Sequence, residues 1–430
     1  MTKNKKENPF STKEIDPRIF ISKPYTACPK CGELGFGLLS VYPRRYAKRC
    51  CECWYTDHFD LPSIKKKIIY LDQMVISNIA NSLNKNSKSY ERLSKDSYWI
   101  ELFKRLDKLC KYQLIVCPES PFHEEESLLS SDFKSMKTIY EHLSGDANFF
   151  DNNTIMRFQI DNHLKNYLDG NPTLYIELDP ENVILGDIHK WNGRLRVSIS
   201  RKIKEDEIIS IKEIKNERYE RLKLIFHRWQ NDNNKKFDDI VQEEAMGIGK
   251  GTIQSYLNYV QDFFVGKFDF PPPASSLIFN MKQIIKFRYP GMGEEDMFSK
   301  IIEYFNSLHI LNVPYIRLSS MLFGSIARKA FAGQKKPPTP GVFTDVDIIA
   351  SVLPYCDAVF IDKENAGYLK ELKISGHIKY PAKVFSSNTR QDYLTYLDDI
   401  LMGASQEHLS TIKDVYGEDW GKPFLTILDR

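Results

Sequence analysis

The sequence predicts an α/β fold built on a parallel sheet covered on both faces, joined to a small cysteine-rich module and interrupted by a mostly helical region. Three observations predict it. Short apolar runs (Ile68-Ile69-Tyr70-Leu71, Leu114-Ile115-Val116-Cys117, Ala358-Val359-Phe360-Ile361 and Ala382-Lys383-Val384-Phe385) alternate with stretches of helical spacing. That rhythm calls for parallel strands joined by helical crossovers. Five of the eight cysteines fall between positions 28 and 53, too clustered for a disulfide framework. From about 145 to 335 the chain turns polar and helix-periodic, with few strand-like runs.

In chain order, residues 1–22 read as a polar tail and 23–62 as the cysteine module. Residues 63–145 carry the first part of the α/β domain: a strand ending at Asp72, helical spacing through Val75, Ile79 and Leu83, a helix over about 97–110, and a strand closed by Pro118. Residues 146–334 form the helical insertion. Within it Phe270-Pro271-Pro272-Pro273 predicts a hinge, and Gly247-Ile248-Gly249-Lys250-Gly251-Thr252 predicts a turn between helices. Residues 335–430 return to the α/β rhythm, with a helix from about 345, a strand before Asp362, a helix over about 364–373, the last strand and a helix from Arg390.

At 430 residues the chain is long enough for a sizeable core, and 42% apolar against 27% charged residues exclude a disordered chain. Lys plus Arg at 60 against Asp plus Glu at 57 leaves +3, which argues neither for nor against a polyanionic partner. No run approaches the roughly 18 to 20 apolar residues of a membrane helix, and Met1–Phe10 lacks an apolar signal core, so a cytoplasmic protein with no membrane partner is expected.

Cys28, Cys31, Cys50 and Cys53 stand in a C-x2-C-x18-C-x2-C pattern, inside the spacing window of a four-thiolate zinc site. Each C-x2-C turn aims two sulfurs at one ion, and Gly32 relaxes the first turn. Four thiolates leave no position open for water, so the zinc is expected to be structural. Cys51 is an alternative to Cys50. The spacing resembles that of zinc ribbons. Arg44, Arg45, Lys48 and Arg49 would lie on its connecting hairpin, either solvated or touching phosphates.

In a parallel sheet, ligands bind beyond the carboxyl ends of the strands. Two apolar runs end directly on Asp72 and Asp362. After the run ending at Cys117, Ser120-Pro121-Phe122-His123-Glu124-Glu125-Glu126 opens a helix, and Asp345 and Asp347 open another before Asp362. Four places can thus bring carboxylates to one sheet edge, where hard oxygens call for a hard cation such as Mg²⁺ or Mn²⁺.

These residues together resemble the PIN-domain nucleases. The resemblance covers roughly 65–145 and 335–430 and implies a three-layer α/β/α sandwich with Asp72, Glu126, Asp345 and Asp362 as Mg²⁺ or Mn²⁺ ligands. Glu124 or Glu125 is an alternative to Glu126, as Asp347 is to Asp345, and His123 is either a packing residue or an orienter of water. The family's pattern implies metal-activated hydrolysis of a phosphodiester, chiefly in RNA, in a toxin or phage-defence setting, with an inhibitor or partner protein restraining it. The sequence departs from the pattern in the long stretch between Glu126 and Asp345, which the helical insertion fills.

Other readings stay open: a non-catalytic zinc-ribbon nucleic-acid-binding or adaptor protein, and a HEPN-type ribonuclease using Arg221 and His227, which match the loose R-x(4-6)-H spacing. An aspartyl-phosphate phosphatase would need an acid two residues after Asp72, where the chain has Met74.

Overall fold

The computed structural model describes residues 16–128, 130, 132–193, 205–231, 235–267 and 271–429, and for 125, 126 and 205–207 the backbone alone. Most of the polar tail, Phe270 of the hinge and the side chains of Glu125 and Glu126 therefore lie outside the described residues.

Strands β1 (Ser22–Ala27), β2 (Leu34–Tyr42), β3 (Arg45–Cys50) and β4 (Thr56–Asp60) form an antiparallel sheet in sequence order. It has little core of its own. Phe36, Cys28 and Cys50 make a small buried cluster, and Leu38 docks the sheet on Ile412, Val415 and Tyr416 of the helix Gln406–Tyr416. Trp191 joins that contact and gives its indole N–H to the Pro62 carbonyl at 2.7 Å.

The second sheet is parallel. Strands β5 (Lys67–Leu71) and β6 (Ile115–Val116) belong to the first α/β segment. A short antiparallel pair, β7 (Asn148–Phe149) and β8 (Ile184–Leu185), follows, and β9 (Ala358–Phe360) and β10 (Lys383–Phe385) belong to the last segment. The order is β10-β9-β5-β6, so the two segments share one sheet and β5 is interior to it. Asp357 fixes the register at the amino ends: its carboxylate accepts from the Ile68 N–H at 2.9 Å and the Lys67 ammonium at 3.1 Å.

Side chains alternate across this sheet as a strand pleat requires. Ile69, Leu71, Ile115, Cys117, Ala358 and Phe360 pack with the helices Gln73–Leu83, Ser97–Lys111, Phe133–Ser144 and Arg390–Met402. Ile68, Tyr70, Val116, Val359 and Ile361 pack on the other side, in a cluster that also holds residues of Val342–Val352 and Lys363–Ile374. That cluster runs without a break into the helices of 146–334, through Ile155, Phe226, Ile278 and Ile316. The inserted helices therefore share a core with one face of the sheet.

The turn expected at Gly247–Thr252 is instead the middle of one helix, Phe237–Phe264. The propensity penalty of the glycines, about 1 kcal/mol each, is outweighed by packing. A Cβ on Gly249 would stand 2.8 Å from Cβ of Phe305, so glycine lets the helix Glu294–Asn306 approach there.

Candidate metal sites

The cysteines come together. Cys28 and Cys53 Sγ are 3.6 Å apart, Cys31 and Cys50 Sγ 3.7 Å, and all four lie within 4.8 Å of one another. A disulfide would need about 2.05 Å. Four thiolates around an ion with metal–sulfur bonds of about 2.3 Å form a tetrahedron with edges near 3.8 Å, so the spacing fits one tetrahedral ion. The two knuckles are built alike: Lys30 N–H points at Cys28 Sγ and Glu52 N–H at Cys50 Sγ, each at 3.4 Å. Gly32 has φ +81°, the left-handed conformation that lets the chain leave the first knuckle. Cys51 is outside the group, and burial pushes its thiol upward, so the fourth ligand position falls to Cys50. Among the described residues this is the one set of three or more His, Cys, Asp or Glu that meets this distance.

The acids are placed differently. Leu71 pairs with Phe360 in register, and the Asp72 N–H extends the ladder to the Phe360 carbonyl at 2.9 Å. Asp72 and Asp362 thus leave the carboxyl ends of adjacent parallel strands. Both also cap helices. Asp72 Oδ1 accepts from the Met74 N–H at 2.8 Å. Asp362 Oδ1 accepts from the Glu364 and Asn365 N–H groups, and its Oδ2 from the Asn365 amide at 2.7 Å. An ionised carboxylate has about four lone-pair sites, so a cap leaves room for a cation.

The acidic helix Pro121–Ser127 follows β6, and its end reaches the residue after Asp72, with Gln73 Nε2 3.5 Å from Ser127 Oγ. Its Glu124 is exposed. His123 is 1% exposed and stacked between Tyr70 and Tyr140, with ring centroids 5.0 and 4.5 Å away. Its Nδ1 accepts from the Ser120 N–H, and burial pushes its pKa down to about 3. It is a neutral packing residue that holds the acidic helix against β5.

Asp345 and Asp347 open the helix Val342–Val352, some 200° apart around its axis. Asp345 is half-buried near Gly341. Asp347 accepts from the Tyr315 hydroxyl at 2.8 Å and lies 3.6 Å from Arg218, so it is committed to the inserted helices; burial raises its pKa, and these two partners oppose the rise. Arg221 and His227 are both exposed on the helix Glu205–Asn231, with His227 bonded to Gln230. Six residues apart, they project about 120° from one another.

One acid escaped sequence reading. Glu119 lies three residues beyond Val116, as Leu71 lies three beyond Ile68, its register partner. Burial pushes its carboxyl up to about 7, helped by the Glu124 and Glu141 carboxylates and opposed by Lys137. Its signal in the sequence is an acid two residues past the apolar run that ends at Cys117.

Among the described residues, no helix is long and apolar enough to cross a membrane. No family model matches the chain, and no curated protein or solved structure matches it either.

Proposed function

We propose that the chain is a divalent-metal-dependent nuclease of PIN-like architecture, acting chiefly on RNA in the cytoplasm, with a zinc ribbon as a structural appendage. The observation that carries this reading is the pair Asp72 and Asp362 at the carboxyl ends of neighbouring parallel strands, the edge where such sheets bind ligands. Asp72, Asp362, Asp345 and Glu126 would hold Mg²⁺ or Mn²⁺, hard cations suited to carboxylate oxygens. A hard cation held there would supply a water activated for attack on a phosphodiester. The chain's own residues orient the acids: Asn365 and the Met74 and Glu364 N–H groups fix the two strand-terminal carboxylates, and His123 fixes the acidic helix. Glu119, with its raised pKa, can carry a proton near neutral pH at the same end of the sheet.

The thiolate donor set favours zinc over the hard cations of the acidic edge, which keeps the two metals apart. The ribbon stabilises the attachment through Leu38 and takes no part in hydrolysis. The full chain, incubated with single-stranded RNA and with DNA of the same sequence, should cleave RNA when Mn²⁺ is added and not without it. No cleavage of either nucleic acid with Mg²⁺ or Mn²⁺ would favour the binding or adaptor reading.

A further inference from the structure

We propose that the inserted helices carry a nucleotide-binding cleft, separate from the acidic edge of the sheet. A cavity of about 530 Å³ opens among the helices Asn152–Leu168, Phe237–Phe264, Pro273–Arg288 and Glu294–Asn306, within the roughly 300–1,000 Å³ typical of small-molecule sites. Three features of its lining point to one ligand chemistry.

The first is charge. Arg157, Lys282 and Lys286 line the cavity with one acid, Glu294, which pairs with Lys282 at 2.9 Å and also faces Lys286, while the half-buried Asp161 behind Asn280 faces Arg157. Among the described residues neither Arg157 nor Lys286 makes a salt bridge. The cations outnumber the acids, so the lining favours an anion. The second is an exposed aromatic ring. Phe279, on the cavity wall, is 61% exposed. Exposed aromatic rings beside cations are the elements of a base-stacking platform. Tyr256 lines the opposite side, with the Lys282 ammonium 5.8 Å from its ring centroid.

The third feature is unspent polar capacity. Asn280 gives its amide N–H to Asp161 at 3.4 Å, which leaves its carbonyl oxygen to accept from a ligand. Phosphate for the cations, a planar base for Phe279 and ring donors for Asn280 together describe a nucleotide. A free nucleotide and one unit of a nucleic-acid strand share that chemistry.

Calorimetric titration of the full chain, as Asp72→Asn to prevent cleavage, distinguishes the sources. The probes are AMP, UMP, adenosine, inorganic phosphate and a 5′-phosphorylated hexaribonucleotide. Nucleotide should bind more tightly than nucleoside or phosphate, and Phe279→Ala should weaken it by about tenfold, as loss of one stacking contact does. Lys286→Gln should weaken it most at low salt, with the difference from Lys286 narrowing as salt is raised. Both residues are exposed, so the variants should fold. Binding of the mononucleotides assigns a free ligand, and binding of the hexamer alone assigns a strand; either supports the cleft. No binding at millimolar concentration, phosphate binding as tightly as nucleotide, or affinity unchanged in both variants would overturn it.

Discussion

The cysteine module and the edge of the parallel sheet both place residues of metal-ligating type near one another, yet the two regions assemble them by opposite routes. The four cysteines span positions 28 to 53, and two tight turns bring their sulfurs within 4.8 Å of one another. Asp72 and Asp362 are 290 positions apart and meet because β5 and β9 pair. Thiolate sites are closed by local geometry, whereas carboxylates at a sheet edge depend on the whole topology and repel until a cation neutralises them. The ribbon is thus a site whose ligands have little else to do. At the acidic edge, the same side chains also cap helices.

That contrast can be broken most severely at the cysteines. Replacing Cys28 and Cys31 by Ser should reduce the metal content from about one zinc per chain to none and unfold the ribbon, which has only a small core to fall back on. Metal analysis and protease sensitivity of residues 22–60 would check it, and a full zinc complement in the double variant would count against the site. Cys51→Ser should leave zinc in place.

The acidic edge should respond in activity with little change in stability. Asp72→Asn keeps an oxygen able to cap the Met74 N–H, so the fold should hold, while cleavage should fall by more than the roughly 10- to 100-fold that loss of an outer-shell partner causes. Asp345→Asn should act similarly. Asp347→Asn should leave cleavage unchanged, because its carboxylate is engaged with Tyr315 and Arg218; a thermal melt and a rate measurement on the pair would separate the roles.

The smallest expected effect is a pH dependence. Glu119 has a folded-state pKa raised to about 7, above its unfolded value near 4.3. A raised pKa means the folded state binds the proton more tightly, so the stabilisation is full below the unfolded value and lost as pH rises toward 7. Glu119→Gln should flatten stability between about pH 4 and 7, as melts across that window would show.

Much of this arrangement was readable from residue patterns. The four apolar runs became the four strands of the sheet, and the helices at Ser97–Lys111, Lys363–Ile374 and Arg390–Met402 fell where apolar spacing put them. The cysteine spacing was informative because a knuckle is a local motif. What sequence did not reveal depends on distant contacts. Phe305 decides that Gly249 sits in a helix, and Tyr315 decides that Asp347 turns away toward the insertion. That both α/β segments contribute to one sheet was expected from their shared rhythm and is seen in the pairing of β5 with β9, whereas the sharing of one core between the sheet and the inserted helices is invisible to any window of sequence.

We place the chemistry at the carboxyl ends of β5 and β9. The most direct test compares Mn²⁺-dependent RNA cleavage by Asp72→Asn with that by the double variant Arg221→Ala, His227→Ala. Asp72→Asn should be folded but inactive, and the double variant should be active. An active Asp72→Asn beside an inactive double variant would contradict it and move the active site to the helix Glu205–Asn231.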